Sequence, residues 1–338
     1  MQRTVTMKDV AQRAGVSVMT VSRAFKQHAS VGEDTRKRIL EIAEDLGYVF
    51  DSNAATFRSQ RTGFVAVLIP SINNANFADT VGALSEVLKD ADLQVLLGYS
   101  NYDIHEEERI VEQFLRRRPE AIVLTGGRHT DRTRQLLERA NIPVIETWDL
   151  PEQPIGHVVG FSNAAAMDDL VGHLVTTGRK RIAFIGGDTD GDTRGADRRR
   201  GFIDAMTGQG LAADRLIGAG DPPISMREGA DAMSRLLGNF PDTEAVICVS
   251  DLSAFGALTE CMRKGVKVPE DIAIAGFGAY DISSICVPTL TTVDPHPLEI
   301  GHKTGEIIVS LLRGDGVRAN GPIRLEIGPL LSVGGSSA

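Results

Sequence analysis

Arg23 closes a short run that also carries Ser17, Thr20 and Ser22, in VSVMTVSRAF (16–25). A guanidinium forks onto O6 and N7 of guanine, and serine and threonine hydroxyls suit phosphate oxygens. Val18 and Met19 stand among them as apolar side chains, which suit thymine methyls or groove shape rather than donor patterns. A second set of reactive side chains lies far along the chain: Ser71; Arg128 and His129; Glu146, Trp148 and Asp149; Ser250 and Asp251; Asp281. Hydroxyls and carboxylates beside a flat aromatic ring are what recognition of a polyol requires.

The first set needs a helix to present it. VTMKDVAQRAGVSVMTVSRAF (5–25) reads as two short helices and a tight turn. Thr6 is the candidate N-cap, with Asp9 as the acid of a capping box. Val10, Ala11 and Ala14 give an apolar face, and Gly15 ends the helix because it accepts positive φ. Ser17 caps the second helix. Val21, Ala24 and Phe25 turn inward, which leaves Val18, Met19, Ser22 and Arg23 outward. Such a pair has the form of a helix-turn-helix, although a glycine between two core helices is common in other domains. The polar loop Lys26 to Ser30 follows. A third helix is expected from Glu33 to Leu46, with Ile39, Leu40, Ile42, Ala43 and Leu46 at helical spacing and Gly47 as its stop.

Charge is partitioned along the chain. The 338 residues carry a net charge of −9, yet residues 1–62 hold ten Lys/Arg against seven Asp/Glu, and the rest hold 26 against 38. A small basic module on an acidic body fits a DNA reader joined to a sensor. No long uncharged apolar run predicts a membrane span, and no basic-then-apolar opening predicts a signal peptide, so the cytoplasm is expected. Cys248, Cys261 and Cys286 lack metal-ligand spacing and are expected to be reduced, with Cys248 in a buried strand. No metal and no cofactor is expected.

From Phe64 the pattern becomes strand–helix alternation. Strands are expected at 64–69, 94–99, 121–125 and 143–147, then at 181–186, 215–218, 245–249, 272–276 and 290–294, with amphipathic helices between them. Apolar runs of this length between such helices predict doubly wound parallel sheets. Two runs of this kind predict two α/β lobes with a cleft between, and ligands of such sheets sit at the carboxyl ends of strands. Those ends carry the second set of residues named above. For Arg128 and His129 an exposed loop capping a helix at Asp131 is the competing reading.

VTMKDVAQRAGVSVMTVSR resembles, without a gap, the opening of LacI-type transcriptional regulators, the lactose/purine/gluconate repressor family. The resemblance covers essentially the whole chain. It implies an all-α helix-turn-helix head at 1–50, a hinge at 51–62 and an effector-binding, dimerising body at 63–334. The body's lobes resemble periplasmic sugar-binding proteins, one lobe taking 63–161 and 293–322, the other 162–292 and 323–334. The implied DNA contacts are Thr6, Ser17, Val18, Met19, Thr20, Ser22, Arg23, Ser30 and, in the hinge, Asn53, Ala54 and Phe57. Phe57 stands where relatives carry a minor-groove leucine, and an apolar wedge that unstacks a base step can be phenylalanine.

The same resemblance assigns Arg198, in ADRRRGF, to the ligand-binding arginine and Phe77 to a stacking position. Relatives usually have Asn before Asp251 and Asp in place of Gly278; the changes leave room for an anionic ligand. MTVSR, GRHTDRT, IPVIE, VGFSN, IAIAGFG and LSVGGS are similar to gluconate-operon repressors. The implied function is operator-bound repression of a sugar-acid operon, relieved by an inducer between the lobes; the alternative is a corepressor-dependent or phosphocarrier-coupled regulator. The partners implied are operator DNA, the effector and a second copy, since no leucine-heptad tail suggests a tetramer. No dinucleotide fingerprint, phosphate loop or nucleophile elbow argues for an enzyme.

Overall fold

The structure is a computed structural model that describes residues 5–25, 31–49, 62–189, 191–314 and 321–338. The chain divides into two compact units, Met1–Thr62 and Gly63–Ala338.

In the first unit, helix α1 (Met7–Ala14) begins at Thr6, whose backbone N–H and hydroxyl both donate to the Asp9 carboxylate at 2.8 and 2.6 Å. Gly15 ends it at φ 65°, a left-handed conformation that glycine adopts without steric cost. Helix α2 (Val18–Ala24) begins at Ser17, whose Oγ accepts the Thr20 N–H at 3.1 Å. Helix α3 is Glu33–Asp45, with Gly32 at its start supplying no side-chain cap. Val10, Ala11, Ala14, Val21, Ala24, Ile39 and Ala43 form the buried core, and Phe25 packs edge-on against Tyr48 at 5.9 Å. Two arginines of α3 complete the neighbouring helices: Arg38 donates to the Ala14 carbonyl and Arg36 to that of Ala24, at 3.2 and 3.0 Å. Those carbonyls end α1 and α2 and have no partner within their helices. Leu40, expected inward, is instead exposed, because it falls on the far side of α3 from Ile39 and Ala43.

The second unit contains two parallel sheets. The first is built from β1 (Phe64–Ile69), β2 (Gln94–Tyr99), β3 (Ala121–Thr125), β4 (Val144–Thr147) and β5 (His157–Gly160), joined by α4 (Ala75–Lys89), α5 (Ile104–Arg116) and α6 (Asp131–Arg139). After α7 (Ala166–Thr176) come β6 (Ile182–Ile185), α8 (Thr193–Gly208), β7 (Leu216–Ile217), α9 (Met226–Asn239), β8 (Ala245–Cys248), α10 (Asp251–Lys264) and β9 (Ala273–Ala275). The short α11 (Asp281–Ile285), β10 (Thr292–Asp294), α12 (Pro297–Arg313), β11 (Arg324–Glu326) and β12 (Leu330–Ser332) follow. Strand order is β11-β5-β4-β3-β1-β2 in the first sheet and β7-β6-β8-β9 in the second, and β10 pairs antiparallel with β12. Central strands are apolar along their whole length, as sheets covered by helices on both faces demand. One core runs from Val65 and Ile145 through Phe161 and Met167 to Phe184 and Ile247, so both sheets share it. Gly256 of α10 lies where a β-carbon would strike the Met226 carbonyl of α9, which is why these helices can pack so closely.

Three strands were not expected: β5, β11 and β12. Each has only three or four residues, and β11 and β12 have exposed ends and no apolar run to mark them. Arg324–Glu326 pairs with Val158–Gly160 in the first sheet. A lobe boundary at 322/323 therefore falls one strand early, and the last crossover lies beyond Glu326. Cys248, Cys261 and Cys286 are free and buried.

Ile39 is the largest fully buried side chain of the first unit's core. Ile39→Ala should cost about 2–5 kcal/mol, a large share of what so small a core can hold. Circular dichroism melting should show the first unit's transition lost and that of Gly63–Ala338 retained; an unchanged first transition would show that Ile39 does not hold the three helices together.

Candidate functional site

On α2, Val18 and Met19 are 41% and 47% exposed, and Arg23 is exposed beside them. Residues four apart are neighbours on a helix, so Val18 meets Ser22 and Met19 meets Arg23 on one outward face. Val21 and Ala24 hold the opposite face in the core. Ser17 Oγ and Thr20 Oγ1 lie 2.9 Å apart at the helix start. The Thr6 hydroxyl is occupied with Asp9. Ser30, Asn53, Ala54 and Phe57 lie outside the described residues.

Within the second unit, a cleft opens between the carboxyl ends of the two sheets. Of the residues expected there, it brings together Ser71, Phe77, Trp148, Arg198 and Ser250. It adds Asn73, Asn74, Asn76, Tyr102, Asp192, Arg194, Phe277 and Tyr280. An aromatic series crosses between the lobes: Phe77 to Trp148 at 5.2 Å, Trp148 to Phe161 at 5.9 Å, and Phe161 stacked on Phe277 at 6.0 Å. A guanidinium covers each end, Arg194 at 5.5 Å from Phe77 and Arg198 at 4.3 Å from Phe277. Contacts of this kind gain strength when desolvated.

Arg194 is 6% exposed and donates to the Thr125 carbonyl at 3.3 Å, from one lobe to the other. Asn76 makes a second link, donating to the Gly278 carbonyl at 3.0 Å. Burial lowers the Arg198 pKa and the nearby Asp192 carboxylate opposes that shift, so the group keeps its charge. Asp192 Oδ1 accepts the Gly195 N–H at the start of α8. Burial raises the phenol pKa values of Tyr102 and Tyr280. Two buried donors lining the cleft, Trp148 Nε1 and Arg198 Nε, have no acceptor among the described residues. Leaving such a donor unmet costs about 1–3 kcal/mol, so an acceptor on a ligand would recover it. Tyr102 and Trp148, which line the cleft, also take positive φ of 62° and 69°, a region that side-chain-bearing residues seldom occupy.

Six expected cleft residues stand elsewhere. Arg128 is exposed and lines an outer chamber with Thr125 and Glu107, on the far side of Tyr102 and Arg194, which line both spaces. The His129 side chain is buried between two carboxylates, Nδ1 at 2.6 Å from Glu107 Oε1 and Nε2 at 3.5 Å from Glu146 Oε1. Glu146 is fully buried and also accepts the Ile155 N–H at 2.6 Å. Asp149 braces two loops, accepting from Leu150 and Gly127 N–H at 2.8 and 3.3 Å, with its pKa raised by burial. Asp251 is fully buried and accepts from Thr292 and Tyr280; burial raises its pKa to about 6. Asp281 opens α11 in a different groove, beside Asp294 and His296. For His129, Glu146, Asp149 and Asp251 the physical reason is common: a carboxylate or imidazole near a strand end finds backbone N–H groups or a buried opposite charge before it finds the cleft.

Signals for the residues missed were present in part. Arg194 precedes Arg198 by one helical turn, so the two share a face. Asn73, Asn74 and Asn76 cluster at a strand end before a helix, and Tyr102 follows another strand end. Tyr280 likewise follows a strand end, next to Asp281, which was the residue expected there. Among the described residues, no group of His, Cys, Asp or Glu could hold a metal ion, and no helix is long and apolar enough to cross a membrane.

For His129, burial alone would lower the pKa; Glu107 and then Glu146 outweigh it and raise it from 6.5 to about 9. A raised folded-state pKa gives stability that is complete below the unfolded value and lost as pH rises through the folded one. The melting-temperature gap between the protein and His129→Gln should therefore be widest below pH 6.5 and close as pH passes about 9. A gap that does not vary with pH would show that His129 is not charged between its glutamates.

Residues 6–51 match the family described as bacterial regulatory proteins, lacI family, and residues 171–337 match a periplasmic binding protein-like domain. The chain is 36% identical to the HTH-type transcriptional regulator GntR of Pseudomonas aeruginosa, over 93% of this chain and 91% of that one. A solved LacI family transcriptional regulator from Silicibacter pomeroyi is 43% identical, with a TM-score of 0.76 over 81% of this chain and 98% of its own. A second LacI family regulator from Silicibacter pomeroyi is 31% identical with a TM-score of 0.90, over 98% of this chain and 99% of its own.

Proposed function

The chain belongs to the LacI family of bacterial regulatory proteins, and from that premise we propose that it is a repressor released from its operator by a sugar acid of the gluconate type. It is a DNA-binding transcriptional regulator with an effector domain, not an enzyme. The observation that carries the ligand reading is the pair Arg194 and Arg198, two cations against an aromatic wall with amides and phenols around them. Among the described residues, Asp192 is the one carboxylate lining this cleft, and it is engaged at the start of α8, so the balance favours an anion. Arginine suits a carboxylate because its donors fork onto both oxygens. Asn74, Tyr102 and Tyr280 suit the hydroxyls of a polyol chain. The similarity of GRHTDRT, VGFSN and IAIAGFG to gluconate-operon repressors supports the same ligand.

In this reading the protein acts in the cytoplasm as a dimer, with two heads on a near-palindromic site and the segment around Phe57 wedged into the minor groove. The ligand must bind the DNA-incompetent state better than the competent one, since equal affinity would shift nothing. A coupling of about 1–3 kcal/mol is typical.

Trp148 is the only tryptophan in the chain and lines the cleft, so its fluorescence reports occupancy directly. Gluconate should change that fluorescence and weaken binding to an operator fragment selected by the protein from random DNA. Arg198→Ala should lose both responses and keep operator binding. Operator affinity that gluconate leaves unchanged, or tightens, rejects induction by this ligand.

Arg23→Ala should weaken specific binding by about 1–3 kcal/mol, the worth of one bidentate contact to guanine, with little change on random DNA. Equal loss on both DNAs would make Arg23 a phosphate contact instead.

A further inference from the structure

Asp251 does not face the cleft, yet it touches everything around one side of it. Its Oδ2 accepts the Tyr280 N–H at 2.9 Å, and its Oδ1 accepts the Thr292 hydroxyl at 2.6 Å. The same Thr292 oxygen accepts the Ala279 N–H at 3.2 Å. The ring closes through the Ala279–Tyr280 peptide, and Ala279 is held at φ 49°, a conformation that alanine rarely adopts. On one side of this ring stands Tyr280, which lines the cleft together with Asn74 of the other lobe. On the other side stands β10, one of the segments by which the chain passes between the lobes, since it follows the second sheet and leads into α12. The Gly276 and Gly278 N–H groups donate to the Thr291 and Val293 carbonyls, both at 2.8 Å, so the loop runs along β10. Beyond it, β10 pairs with β12, another interlobe segment.

We propose that Asp251 and Thr292 form a clasp that carries effector occupancy from Tyr280 to the crossover strand β10, and are positioning residues of the response rather than ligands of the effector. The physical basis is rigidity. A fully buried carboxylate held by two partners, the Tyr280 N–H on the loop and the Thr292 hydroxyl on the strand, cannot let the loop move without moving the strand. When a ligand engages the Tyr280 phenol, the displacement of residues 278–280 has no soft joint in which to dissipate. The clasp borrows from the sugar-acid reading only its choice of probe.

The test compares the wild-type protein with Asp251→Asn, Thr292→Val and Thr292→Ser, each titrated with gluconate. Trp148 fluorescence gives gluconate affinity, and operator binding with and without saturating gluconate gives the response. All four are expected to bind gluconate alike. The wild type and Thr292→Ser, which keeps the hydroxyl, lose operator affinity by roughly 5- to 150-fold on saturation. Asp251→Asn and Thr292→Val lose little. If these two instead bind gluconate weakly but respond in full at saturation, the residues only build the pocket and the proposal is overturned. A full response at unaltered affinity overturns it as well. A wild-type protein indifferent to gluconate sinks the sugar-acid reading alone. The clasp is then judged without ligand, by hydrogen exchange at the β10 and β12 amides. Tyr280→Ala should change that exchange in the wild-type background and not alongside Asp251→Asn; equal changes in both backgrounds overturn it.

Discussion

Two guanidinium groups one helical turn apart, Arg194 and Arg198, must stay charged between two apolar sheets. Taking a cation out of water costs several kcal/mol unless opposite charge and hydrogen bonds replace the solvent. The surrounding structure reads as the answer to that constraint. Thr125 lends a carbonyl from the opposite lobe. Phe77 and Phe277 offer ring faces, and Asp192 supplies a carboxylate that α8 also uses for its own start. The compensation is incomplete, since Arg198 Nε has no acceptor. A site that holds two cations, one engaged carboxylate and an orphan donor is stabilised further by an anion that can accept. The same arginine that favours the anion also ties the lobes, so ligand binding and lobe geometry share Arg194.

Much of the fold was legible because its long strands are apolar throughout and its helices are amphipathic. Residues 64–69, 94–99 and 121–125 announced themselves as runs, and the helix-turn-helix announced itself through Thr6, Gly15 and Ser17. The short strands β5, β11 and β12 were not legible, since three or four residues at an edge need no pattern. Pairing decides them, and pairing is not local. In the cleft, Phe77, Trp148 and Arg198 were legible by type and place. Tyr280 was marked only by its place at a strand end; that it rather than Asp281 enters the cleft depends on a loop held by Asp251, 29 residues before it, and by Thr292, 41 residues after Asp251.

Carboxylates at strand ends misled in one direction. Glu146, Asp149 and Asp251 all sit where a ligand group would be expected, and all three hold protein instead. The reason is competition. Loops at the carboxyl ends of parallel strands leave backbone N–H groups unpaired, and an acid that the fold brings beside them satisfies them before a ligand can. His129 adds the other means of keeping a buried carboxylate, an imidazolium between Glu107 and Glu146. The ligand-facing groups are those with nothing local to bond: a guanidinium on a ring, an indole N–H, two phenols.

The head solves a different problem with fewer groups. Helix α2 exposes one arginine beside the apolar Val18 and Met19, and residues 1–62 have a surplus of only three positive charges. The remainder of the chain carries twelve net negative charges, which repel DNA at close range and are screened beyond about 10 Å in 0.1 M salt. Weak phosphate attraction keeps sequence-independent affinity low. That weakness serves regulation. A coupling of about 1–3 kcal/mol changes operator occupancy only when binding is not far past saturation. A strongly basic head would hold its site whatever the cleft contained. A sparing one, attached to an acidic body, leaves the operator within reach of the small free energy that a ligand at Arg194 and Arg198 could supply.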